Sequence, residues 1–304
     1  MRTSAYAQWL ARWHLVSMDA PTVAATWTWA IAQACNVRLP WASLPAMGIA
    51  VWMLYVGDRL LDARLLDRPA LRHVPGLEAR HFFHHRHRQR FLPGIGLAGI
   101  VLAALLPRLA TPALRLYAIE GVLLCGWFLV LHASNLQKTG NGHRLPKEIA
   151  VGLFFAGAVF IPTVAREPGL RLVLLPVAGL LAVLCSLNCL FIYFWEHEAW
   201  DHEPGRPDWG GGDESSGCHA TTRLALRHLI RIAAATVAVG MGLAVLEYLA
   251  GAGSLWTLPA ACAVSAGLLL LLHGSRRRIE PTALRAMADV ALLTPLLFLP
   301  LLVR

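Results

Sequence analysis

Charge is scarce in this sequence. Asp, Glu, Lys and Arg together make up 15% of 304 residues, against 57% hydrophobic residues. A soluble domain so short of polar groups could not cover its surface, so the composition points to an integral membrane protein. Paired cysteines are also missing. Cys35, Cys125, Cys185, Cys189, Cys218 and Cys262 form no C-x-x-C, and most lie in apolar runs. That excludes a disulfide framework and a zinc knuckle. The opening residues are not expected to be a cleavable signal, because the first apolar span starts near Pro21 after an amphipathic lead. No internal repeat is visible. The charge that is present is unbalanced, at net +9, and is carried by Arg far more than Lys. With a mean hydropathy of +0.53, such an excess belongs in loops facing anionic lipid or an anionic substrate rather than nucleic acid.

A helix needs about 20 apolar residues to cross a bilayer. Nine stretches qualify: 21–37, 41–62, 92–109, 114–134, 147–165, 169–195, 224–250, 255–273 and 283–303. Backbone groups must satisfy one another in lipid, so these are expected to be helices. Residues 1–20 form an N-terminal segment. Within it, Trp9, Leu10, Trp13 and Leu15 alternate with Arg12 and His14, which predicts an interfacial helix. Residues 21–304 form one transmembrane domain. The Arg-rich loop 63–90, Lys138 and Arg144, and Arg276–Arg278 follow even-numbered spans. The positive-inside rule then puts the N-terminus in the cytoplasm and the C-terminus outside. The expected location is a bacterial inner membrane. Loop 196–222, acidic and Gly-rich, falls on the same side as loop 63–90.

Chemistry concentrates at two helix ends. Asp58 and Asp62 end span two, four residues apart on one helix face. Asn188, Ile192 and Glu196 share a face at the end of span six, with Glu198 and Asp201 beyond. Carboxylates on two helix ends suit Mg²⁺, which shares itself with phosphate oxygens. Arginine donates to phosphate in bidentate fashion. A simpler reading, that these acids mark helix ends and pair with Arg59 and its neighbours, stays open. Glu120 and Asp289 lie inside spans and should face the bundle interior. Asp289 either lines a cavity or is paired structurally. Arg227, His228 and Arg231 read as interface charges.

These motifs resemble those of the UbiA superfamily of intramembrane prenyltransferases. LYVGDRLLD matches the family's first N-x-x-x-D-x-x-x-D motif at Asp58, Arg59 and Asp62, with Leu54 in place of Asn. The second motif keeps Asn188 and Glu196, with Ile192 in place of the middle Asp. SMDAPTVAATWTWA, with Asp19, Pro21 and Trp27, is similar to the lead into span one. RLPKEIAVGLFFAGAVFIP, with Gly152 and Gly157, is similar to the lead into span five. The resemblance implies an all-α bundle of about nine transmembrane helices under a cytoplasmic cap. It implies Mg²⁺-dependent transfer of a polyprenyl group from its diphosphate to a small aromatic or lipidic acceptor. Asp58, Asp62, Asn188 and Glu196 would be catalytic, with Asp58, Asp62 and Glu196 holding Mg²⁺. Arg59, Lys138, Arg144, Glu198, Asp201 and Asp289 would contact substrate.

The stretch RHFFHHRHRQR, 80–90, then becomes a cationic cap over diphosphate, a lipid-headgroup anchor, or a metal box built on His81, His84 and His85. A di-iron oxygenase is a weak alternative, because His197 and His202 offer only a second box and no third exists. Leu54 and Ile192 favour another alternative, a catalytically silent relative that binds a lipid, quinone or protein. Polar residues within spans keep a transporter open as well.

Overall fold

The structure is a computed structural model that describes residues 13–63, 86–136, 147–200 and 220–302. For 62–63, 131–136, 197–200 and 220 it describes the backbone alone. Among these residues the chain is helical, with no strand. The main helices are α1 (Asp19–Ala34), α2 (Ser43–Ala63), α3 (Arg88–Leu105), α4 (Thr111–Leu136), α5 (Lys147–Arg166), α6 (Arg171–Trp200), α7 (Ala220–Arg227), α8 (Leu229–Leu249), α9 (Thr257–Ser275) and α10 (Pro281–Val290). A 3₁₀ segment, Ala291–Phe298, and a last turn, Leu299–Leu302, continue α10.

Among the described residues, eight helical stretches are long and apolar enough to cross a membrane, and they coincide with spans two to nine. The chain is an all-α integral membrane protein. The stretch expected as span one is the 16-residue α1, which is shorter than the others and almost wholly buried. The stretch expected as span seven is broken at His228, where α7 gives way to α8. Arg227, His228 and Arg231 at that break are exposed, as interface charges should be.

The core joins α1, α5, α6 and α9 around Trp27, Ile31, Val159, Leu184, Phe191 and Leu258. α6 packs on α5, α8 and α9, while α1 packs on α2, α5 and the 3₁₀ segment. Two close approaches need glycine. A Cβ at Gly152 would fall 2.8 Å from the Ser186 amide nitrogen of α6. A Cβ at Gly240 would fall 2.9 Å from the Pro259 carbonyl of α9. Small residues that let helix backbones approach are what holds a bundle together in lipid.

The last span departs from a regular helix. Glu280 caps α10, accepting from the Thr282 and Ala283 amides, and Pro281 takes the first-turn position where no N–H is needed. After Val290 the helix tightens into eight residues of 3₁₀ around Pro295, an unusually long run for that geometry. Its polar groups find partners elsewhere. The Trp27 indole N–H donates to the Leu292 carbonyl at 2.9 Å, and the Thr294 hydroxyl donates to the Ala261 carbonyl at 2.8 Å.

A candidate anion- and cation-binding cavity

One end of the bundle gathers the C-termini of α2 and α6 and the N-termini of α5 and α10. Ion pairs between them fix that arrangement: Asp58 with Lys147 at 3.6 Å, and Glu196 with Arg285 at 3.1 Å. Thr222 of α7 donates to Glu148 of α5 at 3.2 Å. From this end a cavity of about 650 Å³ runs into the bundle between α2 and α5, within the range typical of ligand pockets. Asp58, Lys147, Glu148 and Glu196 line it, together with apolar groups such as Met47, Val51, Leu124, Phe128 and Phe155.

The motif positions converge on this cavity. Leu54 and Asp58 of the first motif line it, as do Asn188, Ile192 and Glu196 of the second. The two departures, Leu54 and Ile192, therefore put apolar side chains into the same wall as the carboxylates. Glu120 and Asp289 also line it, so both intramembrane acids face the interior. Glu120 sits against α5, where a Cβ at Gly157 would lie 2.7 Å from its Oε1.

Deeper along the wall is a polar cluster whose composition the sequence pattern does not reveal. His14 Nδ1 lies 2.7 Å from Asp19 Oδ2 and 3.6 Å from Asp289 Oδ2. Arg59 reaches the same Asp19 oxygen at 3.6 Å, donates to the His14 carbonyl at 3.2 Å, and donates to the Ser17 hydroxyl. Asn188 Nδ2 donates to Asp289 Oδ1 at 3.0 Å, while its own Oδ1 is buried without a hydrogen-bond partner. Asp289 thus meets both readings left open for it: it lines the cavity and is paired.

Burial disfavours the imidazolium of His14. Its hydrogen bond with Asp19 and the negative charges of Asp19 and Asp289 outweigh that, and its pKa is raised from 6.5. Ser17 adopts a left-handed backbone, φ 61°, beneath the Arg59 guanidinium. Such a conformation costs a non-glycine residue about 1–2 kcal/mol, so the turn is held by its contacts.

Residues 13–18 are therefore not a freely lying interfacial segment. His14 and Ser17 are buried against α2 and α10, while Val16 and Met18 stay exposed. The amphipathic pattern registered the apolar side of this segment but not the carboxylates waiting for its histidine. Arg59, expected to contact substrate, lines the cavity and is also held within the wall. It is 4% exposed and engaged with Asp19, Ser17 and the His14 carbonyl, because a guanidinium within the bundle needs a carboxylate partner. Among the described residues, Lys147 is an exposed cation that lines the cavity beside Asp58.

Several expected residues lie outside the described ones: Lys138, Arg144, Asp201, His202 and residues 80–85 with His81, His84 and His85. The side chains of Asp62, His197 and Glu198 are outside them as well. Comparison with protein-family models, with curated proteins and with solved structures returns no match, so what this cavity does rests on its geometry.

Proposed function

We propose that the chain is a UbiA-like prenyltransferase. It would move a polyprenyl group from its diphosphate to a small aromatic or lipidic acceptor, with Mg²⁺, in a bacterial inner membrane with the N-terminus cytoplasmic. The observation that carries this reading is the convergence of five motif positions from α2 and α6 on one cavity, acidic at its mouth and apolar within.

The donor set fits Mg²⁺. This ion is usually held by one or two carboxylates plus substrate phosphates, so a complete protein cage is not required. Asp58, about one-third exposed, touches Lys147 at 3.6 Å, a loose pair that leaves its oxygens open to a metal. Asp58 and Glu196 would hold the ion, with Asp62 one turn beyond. Bound Mg²⁺ would neutralise diphosphate charge and so improve it as a leaving group. Lys147 donates to phosphate oxygens at the mouth. Met47, Val51, Leu124, Phe128 and Phe155 bury the isoprenoid tail away from water, which protects an allylic cation from hydrolysis. Arg59 positions the wall through Asp19 and adds positive charge behind it.

Leu54 and Ile192 in the cavity wall support a second reading, a silent relative that keeps the apolar groove for a lipid or quinone. Binding of geranylgeranyl diphosphate to detergent-purified protein, with and without Mg²⁺, separates the two. Saturable, Mg²⁺-dependent binding that is lost in Asp58→Ala and in Glu196→Ala is expected of the enzyme. A folded wild type that shows no Mg²⁺-dependent binding to this or to shorter and longer prenyl diphosphates would leave the silent reading standing.

A further inference from the structure

The cluster on the deeper cavity wall has the makings of a site of different chemistry. His14, Asp19 and Asp289 each offer a ligand atom within 4.8 Å of the other two. They come from three separate elements: the turn before α1, the first residue of α1, and α10. Together they present two carboxylate oxygens and one imidazole nitrogen, His14 Nδ1, which now faces Asp19 at 2.7 Å and whose proton a metal would displace. An independent observation points to a ligand. Asn188 is 7% exposed, is anchored to Asp289 through Nδ2, and keeps a buried Oδ1 with no protein partner. Buried amide oxygens are rarely left so, because each lost hydrogen bond costs free energy.

We propose that His14, Asp19 and Asp289 bind a first-row divalent metal ion of the Zn²⁺, Co²⁺ or Mn²⁺ type, beside the unpartnered Oδ1 of Asn188. Imidazole with carboxylate oxygens suits such ions. Mg²⁺ prefers oxygen ligands alone and retains its water. The surrounding contacts hold Asp19 and the His14 turn in place. Asp19 Oδ1 accepts the Ala20 amide at 3.0 Å, and Arg59 stands 3.6 Å from Asp19 Oδ2, held by Ser17 and the His14 carbonyl. Partners of this kind orient ligands and tune affinity. Access is provided, since Asp19, Asp289 and Asn188 all line the cavity.

This site is distinct from the one assigned to Mg²⁺. Asn188 and Glu196 are eight residues apart on α6, roughly 12 Å along the helix axis. The inference also stands without prenyl transfer. A metal here would clip residues 13–18 to α10 and place a second cation on the cavity wall whatever the cavity binds.

The test uses the full chain in detergent after chelator treatment. Co²⁺ is titrated by absorption spectroscopy, and retained Zn²⁺ is measured by elemental analysis after gel filtration. The wild type should take up a single Co²⁺ that excess Mg²⁺ does not displace. Asp58→Asn should retain it. His14→Ala and Asp289→Asn should weaken it by roughly tenfold or more, with thermal melting confirming that each variant is folded. Pulsed electron paramagnetic resonance of Mn²⁺ bound to the wild type reads the site without any variant, and should show coupling to one imidazole nitrogen. The proposal is overturned if the wild type takes up neither Co²⁺ nor Zn²⁺, if Mg²⁺ displaces them, or if the imidazole coupling is absent. Uptake that survives in both folded variants would overturn it equally.

Discussion

The α8–α9 pair and the α3–α4 pair are each built from two long apolar helices, yet they stand in the bundle differently. Of the α9 span, 61% is buried inside the protein, and of the α8 span 28%. Of the α3 and α4 spans, 6% each is buried. The faces explain it. α8 presents Ala233, Gly240 and Ala244 to a run of small residues on α9, Ala260 to Ala263 and Ala266. α3 and α4 turn Leu97, Ile100, Val122, Leu123 and Leu129 outward, where lipid would meet them. Lipid tails are as apolar as leucine, so hydrophobicity gives two helices no reason to prefer each other over the bilayer. Close packing and buried polar contacts decide instead. α3 leans on α2 and α4 on α5, flanking the cavity, so the loosely packed side is also the side from which a lipid chain can approach.

The largest effect should come from the polar contacts of the packed side. Arg59→Ala removes the guanidinium from buried Asp19, leaving two carboxylates, Asp19 and Asp289, against His14 as the remaining cation of the cluster. It should cost about 3–5 kcal/mol, read by unfolding in detergent and SDS mixtures, and Arg59→Lys should recover only part of this. A loss below about 1 kcal/mol would mean the cluster does not hold the N-terminal segment. Next comes the close crossing of α5 on α6. Gly152→Val forces a side chain into the Ser186 backbone and should destabilise by about 1–3 kcal/mol. The same change at Gly121, where a Cβ meets nothing within 4 Å, should not, and equal effects at both glycines would break the contrast.

Trp27→Phe keeps an aromatic ring in the core but loses the second ring of the indole and removes the donor to the Leu292 carbonyl. Leaving that group unsatisfied should cost about 1–3 kcal/mol, and local hydrogen exchange should rise in the 3₁₀ segment. The smallest effect should be on the lipid-facing side. Ile100→Ala and Val122→Ala remove side chains that are about 70% exposed and should stay within about 0.5 kcal/mol of wild type in the same unfolding titration.

Much of this was legible in advance. Runs of about 20 apolar residues located the helices to within a few positions, because a bilayer leaves the backbone no other solution. The spacing of Asp58, Asn188 and Glu196 placed each on one helix face, and the alternation of the chain put the two faces at one end. What the pattern misjudged were lone residues. His14 in an amphipathic stretch looks like any interfacial histidine, and its identity as the partner of Asp19 and Asp289 depends on a contact across 275 positions of chain. Nor does the sequence show that Arg59, expected to contact phosphate, has Ser17 and Asp19 beside it.

The sequence alone determined that this chain lives in a membrane as a bundle of helices, because composition and run length suffice for that. Which helices pack closely, and which cations the carboxylates meet, was decided only by the tertiary structure. Apolar helices look alike to lipid, and a glycine such as Gly96, with nothing within 4 Å, is written like Gly240, which abuts Pro259. The difference between them is a partner backbone, and its approach depends on how the whole bundle fits together.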